Sequence, residues 1–137
     1  MRLLLSFLIV AFISAGCASQ SARLNPGVKL SQFKRVYVEK RLNDNNATDA
    51  IIAAELRRRG FDASYGHLTM MPRDTEVVIT YDARWTWDFR SYLIELHITA
   101  NTAHSNKPIA TGSYRQPGIV PKEPAEMIAV LFDKFLE

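Results

Sequence analysis

The chain has 137 residues, enough for one domain rather than two. Its 17 basic and 14 acidic residues leave a net charge of +3, too weak and too evenly mixed to mark a nucleic-acid binder. A single cysteine excludes a disulfide framework.

The first residues read as an export signal. Arg2 supplies a basic start, Leu3 to Ile13 is apolar apart from Ser6, and Ser14-Ala15-Gly16 is a run of small residues before Cys17. The apolar run is 11 residues long, short of the roughly 20 that a membrane-spanning helix requires. Residues 1–16 are therefore expected to be a signal peptide.

Ser14-Ala15-Gly16-Cys17 resembles the bacterial lipobox, with Ser14 where leucine is usual. The resemblance implies a diacylglycerol on the Cys17 sulfur, cleavage before Cys17 and further acylation of the new amino group. Two or three acyl chains of the palmitate type would hold the protein stably to a membrane, where one would not. Ala18 in place of aspartate implies, by the same resemblance, an outer-membrane destination with the domain facing the periplasm. Residues 17–32, polar and broken by Asn25-Pro26-Gly27, read as the lipidated N-terminus and a flexible tether.

The domain proper is expected over 33–137. Phe33 to Glu39 is rich in β-formers and predicts a strand. A turn cluster at 43–46 follows, and Asn46 is a candidate cap for a helix from about Ala47 to Arg59, with Ile52 and Leu56 on one face. Arg57, Arg58 and Arg59 suit the negative end of that helix, Gly60 its left-handed stop, and Phe61 can fold back on Leu56. The arginines could instead be an anion site, but the helix-end role accounts for them.

Phe61, Ala63 and Tyr65 alternate as a second strand, and His67 to Pro72 reads as a loop. Thr75 to Trp87 and Tyr92 to Thr102 alternate apolar and polar residues with period two. Joined through a four-residue loop, they form a hairpin in which Trp87 faces Tyr92, Trp85 faces Ile94, Arg84 faces Glu95 and Asp82 faces His97. Ile109 to Arg115 reads as a last strand at a sheet edge, because Pro108 and Gly112 flank and interrupt it. Pro124 opens a closing helix with an apolar stripe of Ile128, Leu131, Phe132 and Phe135.

The expected fold is α+β: a two-layer sandwich of order β-α-β-β-β-β-α. Its sheet is mostly antiparallel, with both helices on the face carrying Ile79, Tyr81 and Ile94.

Beyond the anchor, three stretches carry a family resemblance. They are Phe33 to Val38, Ala50-Ile51 through Glu55 to Phe61, and Asp74 to Tyr81. Their spacing resembles that of short bacterial envelope lipoproteins of unknown function. The domain of that group is similar to the N-terminal domain of the translocation protein TolB and to the curli secretion lipoprotein. The resemblance implies an assembly or scaffolding role with an envelope protein as partner, and it transfers no catalytic residue.

The chemistry of the side chains adds little. His67, His97 and His104 have no metal-ligand spacing, so no metal and no cofactor is expected. His97 with Asp82 could be half of a triad, but no nucleophile elbow accompanies it, and an exposed cross-strand ion pair explains it better. An enzyme is not expected, and a hydrolase is the least favoured alternative. Trp85, Trp87, Phe89 and Tyr92 gather at one end of the hairpin and form the candidate binding patch, suited to a glycan or lipid. Thirteen strand residues reach about 43 Å and a 13-residue helix only about 20 Å, so this end can outrun its helical cover. Burial under the second helix is the favoured reading, since Trp85 and Trp87 share the core-side face.

Overall fold

A computed structural model of the chain describes residues 18–117 and 121–137. The signal-peptide reading of 1–16 and the lipidation of Cys17 lie outside the described residues. The architecture is α+β: six strands form one mixed sheet and two α-helices pack on it.

The strands are β1 (Ser19–Leu24), β2 (Arg35–Glu39), β3 (Asp62–Gly66), β4 (Val77–Asp88), β5 (Arg90–Thr102) and β6 (Pro108–Arg115). The helices are α1 (Thr48–Arg58) and α2 (Pro124–Phe135). Across the sheet the order is β1-β6-β5-β4-β2-β3. The pairings β1·β6, β6·β5 and β5·β4 are antiparallel, while β2 pairs in parallel with both β3 and β4.

Outside the β4–β5 hairpin, three features depart from the sequence expectation. The first is β1. The segment read as tether supplies an edge strand, and Leu30 just beyond it is buried in the core. The second is β6, which lies between β1 and β5 and is not an edge. The third is the cap of α1. Asn46 does not provide it. Ala47 takes a left-handed conformation at φ 53°, and the Asp44 carboxylate reaches past it to accept the Thr48 backbone N–H at 2.9 Å.

The end of α1 is as the sequence implies. Gly60 sits at φ 93°, Phe61 donates to the Leu56 carbonyl at 3.0 Å, and the Phe61 ring packs against the core. The three arginines are structural. Arg58 and Arg59 both hold Glu55, Arg59 also reaches Asp133 on α2 at 2.6 Å, and Arg57 donates to the Ala63 carbonyl.

The core lies between the helices and one sheet face. Ile52 and Leu56 of α1 and Met127, Ile128, Leu131 and Phe132 of α2 are buried with Ile79, Tyr81, Leu96 and Ile98 of the hairpin. Phe132 and Phe135 meet edge-to-face with centroids 5.5 Å apart. No helix among the described residues is long and apolar enough to cross a membrane.

Candidate functional site

The hairpin β4–β5 builds the site. Its far half has the expected register, with Tyr81 opposite Ile98, Asp82 opposite His97 and Arg84 opposite Glu95. Between Arg84 and Trp85 the register shifts, so that Trp85 faces Leu93, Thr86 faces Tyr92 and Trp87 faces Ser91. The four-residue loop is replaced by a tight turn in which Asp88 pairs with Arg90 and Phe89 alone stands at the tip. The extra residue is Ile94. The bulge rotates it out with Tyr92 and turns Leu93 into the core, so Ile94 does not share the helix-side face with Ile79 and Tyr81.

The four aromatics of the candidate patch consequently divide. Trp85 is half-buried against the core, and its enclosed indole N–H has no hydrogen-bond partner among the described residues. Tyr92 is half-buried on the opposite sheet face, over a depression it shares with Ser19, Arg84, Ile94 and Arg115. Trp87 is 71% exposed and Phe89 94% exposed, so the expected burial under α2 does not extend to either. The cause is length: the 12 residues of α2 span about 18 Å, while the 13 of β5 span about 43 Å. Phe89 holds a left-handed φ of 62°, a conformation that a bulky residue adopts at a cost of about 1–3 kcal/mol.

A polar cleft of about 150 Å³ lies beside the hairpin's base, lined by Arg41, Asp44, Tyr81, Asp82, Arg84 and His97 among others. Tyr81 donates to Asp44 at 2.7 Å, and burial foremost, then that hydrogen bond, pushes its phenol far above the usual value. Burial alone would raise the Asp44 carboxyl. Hydrogen bonds from Tyr81, the Asn46 and Thr48 amides and the Thr48 hydroxyl outweigh it and hold the group below the ordinary carboxylate range.

His97 is partnered differently from the sequence expectation. Its Nε2 lies 2.9 Å from Glu95 Oε1, two residues along the same strand face, while Asp82 is taken by Arg41 at 2.9 Å. The His97 hydrogen bond foremost, with Arg84 adding, lowers the Glu95 pKa. The period-two rule that places residues i and i+2 on one face was the signal available for the Glu95–His97 pair. Ser113 is the Cα partner of His97 on β6, but its hydroxyl bonds to Ser21 at 2.8 Å. Every charged group of the cleft named here therefore has a partner, and the arrangement reads as a cross-linked sheet face. Among the described residues no cluster of three or more metal-ligating side chains forms.

No family model matches the chain, and no curated protein matches it. Among solved structures, the fold is similar to that of PelC from Paraburkholderia phytofirmans, a dodecamer. One crystal form of a PelC point variant superposes with a TM-score of 0.64 at 12% identity, covering 88% of this chain and 98% of that one. A second PelC crystal form gives 0.63 at 12% identity, covering 85% and 99%. At this identity the likeness is one of fold, and it spans nearly all of the PelC chain.

Proposed function

We propose that this chain is a lipid-anchored, non-enzymatic module of the bacterial envelope that binds a protein partner from the periplasmic side of the outer membrane. One observation carries the reading. The sheet begins at Ser19, two residues after the cysteine of the lipobox-like tetrapeptide. Anchor and sheet are then a single unit, and whatever the sheet presents is held at the membrane surface.

What it presents is open backbone. Strands β1 and β3 are the two edges, and β1 is exposed along its whole length. An exposed edge offers unpaired N–H and C=O groups to which a partner's strand can add. PelC, with the same fold, assembles into a dodecamer, which supports reading the architecture as one that docks proteins. The side chains support a non-enzymatic role. The His97–Glu95 pair is solvent-exposed, and the Ser113 hydroxyl opposite it is engaged with Ser21.

A photo-crosslinking residue in place of Arg23 on β1 tests the partner. In intact cells it should give one discrete protein adduct that disappears in a Cys17→Ser background. No adduct at this edge, or an adduct unaffected by Cys17→Ser, would contradict the reading. A second reading, in which the aromatic end binds glycan or lipid, is favoured by the exposure of Trp87 and Phe89.

A further inference from the structure

The topology places the exposed aromatics and the start of the domain at the same end of the sheet. Ser19 pairs with Arg115, Arg115 with Glu95, and Glu95 with Arg84, so these four residues form one row across β1, β6, β5 and β4. From that row the hairpin continues outward for four residues on β4 and five on β5 before it turns at Phe89. At about 3.3 Å per residue the tip stands some 13–16 Å beyond the row.

The chain preceding Ser19 leaves from this row. Cys17 is two residues back and reaches at most about 7 Å outward. The tip therefore extends about 6–9 Å farther than the backbone of Cys17 can. A lead of at least that size is enough to bring the tip to the roughly 5–10 Å depth at which apolar groups of surface-bound proteins sit in the headgroup–acyl boundary.

We propose that the hairpin tip is a second membrane contact, with Trp87 and Phe89 seated in the interface of the bilayer that holds the acylated Cys17. The proposal rests on the lipid-anchor reading above. Two further observations support it. Tryptophan is amphipathic and favours this interface, while phenylalanine suits the acyl side. Phe89 also occupies a left-handed turn position that glycine or asparagine would take without strain, so its presence there serves the ring rather than the backbone. The flanking arginines are matched by carboxylates, Arg84 with Glu95 at 3.5 Å and Arg90 with Glu123 at 3.6 Å. The contact itself is made by the two apolar rings, Trp87 and Phe89. It fixes the domain at two points, with the hairpin standing on the membrane and the Thr102–Pro108 turn directed away from it.

The chain's two tryptophans both lie in this hairpin, so tryptophan emission, excited at the red edge where tyrosine does not absorb, reports on it alone. The test uses the full, membrane-extracted protein reconstituted with phosphatidylcholine vesicles, with and without bromine on the acyl chains. Co-sedimentation with the vesicles reads the anchor, and bromine quenching reads the tip. The wild-type emission should be blue-shifted and quenched by brominated lipid. Trp87→Phe should remove most of the quenchable emission, leaving Trp85. Phe89→Asp should lower the ratio of inserted to free tips about tenfold while co-sedimentation stays unchanged.

Co-sedimentation without quenching would overturn the tip contact and leave the anchor standing. Failure of the wild type to co-sediment would overturn the anchor and the contact that rests on it. Protection of the tryptophans from iodide by soluble peptidoglycan fragments, and not by vesicles, would assign the tip to a glycan and overturn the proposal.

Discussion

Replacing Gly112 by valine should destabilise the domain by about 3 kcal/mol, at the upper end of what overpacking costs. A Cβ at this position would lie 2.8 Å from the Phe135 ring and 3.1 Å from the Ser21 carbonyl oxygen. Neither neighbour can yield easily. Phe135 is buried and packed edge-to-face on Phe132, and Ser21 belongs to the backbone of β1. The missing side chain is thus what lets α2 and β1 close on β6 together. Urea unfolding measures the loss, and the double variant with Phe135→Leu separates the two clashes. Recovery of part of the stability would assign the strain to the ring. An unchanged midpoint in Gly112→Val would show that the helix and edge strand do not close here.

Replacing Glu55 by alanine should cost about 2 kcal/mol at neutral pH. Removing one partner of a fully buried pair costs about 3–5 kcal/mol, and the figure here is lower because Arg58 lies in solvent that screens the site. The Glu55 side chain is 8% exposed and accepts from Arg58 at 2.6 and 2.9 Å and from Arg59 at 2.7 Å. Arg59, itself largely buried, would keep only Asp133 and the Ala129 carbonyl. Through Arg59 the carboxylate joins the end of α1 to α2, so the variant should loosen both.

The pH dependence has a fixed sign. Hydrogen bonding from Arg58 foremost, with Arg59 and against burial, holds the folded Glu55 pKa below its unfolded value. A depressed carboxyl contributes stability above the unfolded pKa, near 4.3, and loses it as pH falls through the folded value. The gap between wild type and Glu55→Ala should therefore be full at pH 7 and shrink below about pH 4.5. A gap that stays constant down to pH 3 would show that the loss comes from packing and not from charge.

The parts of the fold that the sequence made legible are those whose burial is one-sided. Strand β4 alternates because one face meets the helices, and the Asp82–His97 and Arg84–Glu95 pairings could be read from it. Strand β1 carries no such pattern. All six of its residues are exposed, and it is held by backbone bonds to β6, the Ser21–Ser113 hydroxyl pair and the approach of α2 over Gly112. Periodicity measures burial, so an edge strand with no buried residue does not register in it.

The bulge was hidden for a related reason. Leu93 and Ile94 are adjacent and both apolar, so either can fill the core, and side-chain type does not say which one turns inward. The cap of α1 was misplaced within a run of four residues that can all cap. Asp44 wins because an ionised carboxylate accepts several hydrogen bonds at once, here from Asn46, Thr48 and Tyr81. The candidate site was legible in composition but not in exposure. Alternation correctly assigns Trp85 and Trp87 to the helix-side face. Only the finite reach of α2, a property of the assembled fold, leaves Trp87 and Phe89 uncovered.

The chemical state of the amino terminus tests the lipid anchor most directly. Mass spectrometry of the N-terminal peptide from protein extracted out of native membranes should find a chain that begins at Cys17, with diacylglycerol on its sulfur. A peptide carrying a free Cys17 thiol, or one that still contains residues 1–16, would contradict it.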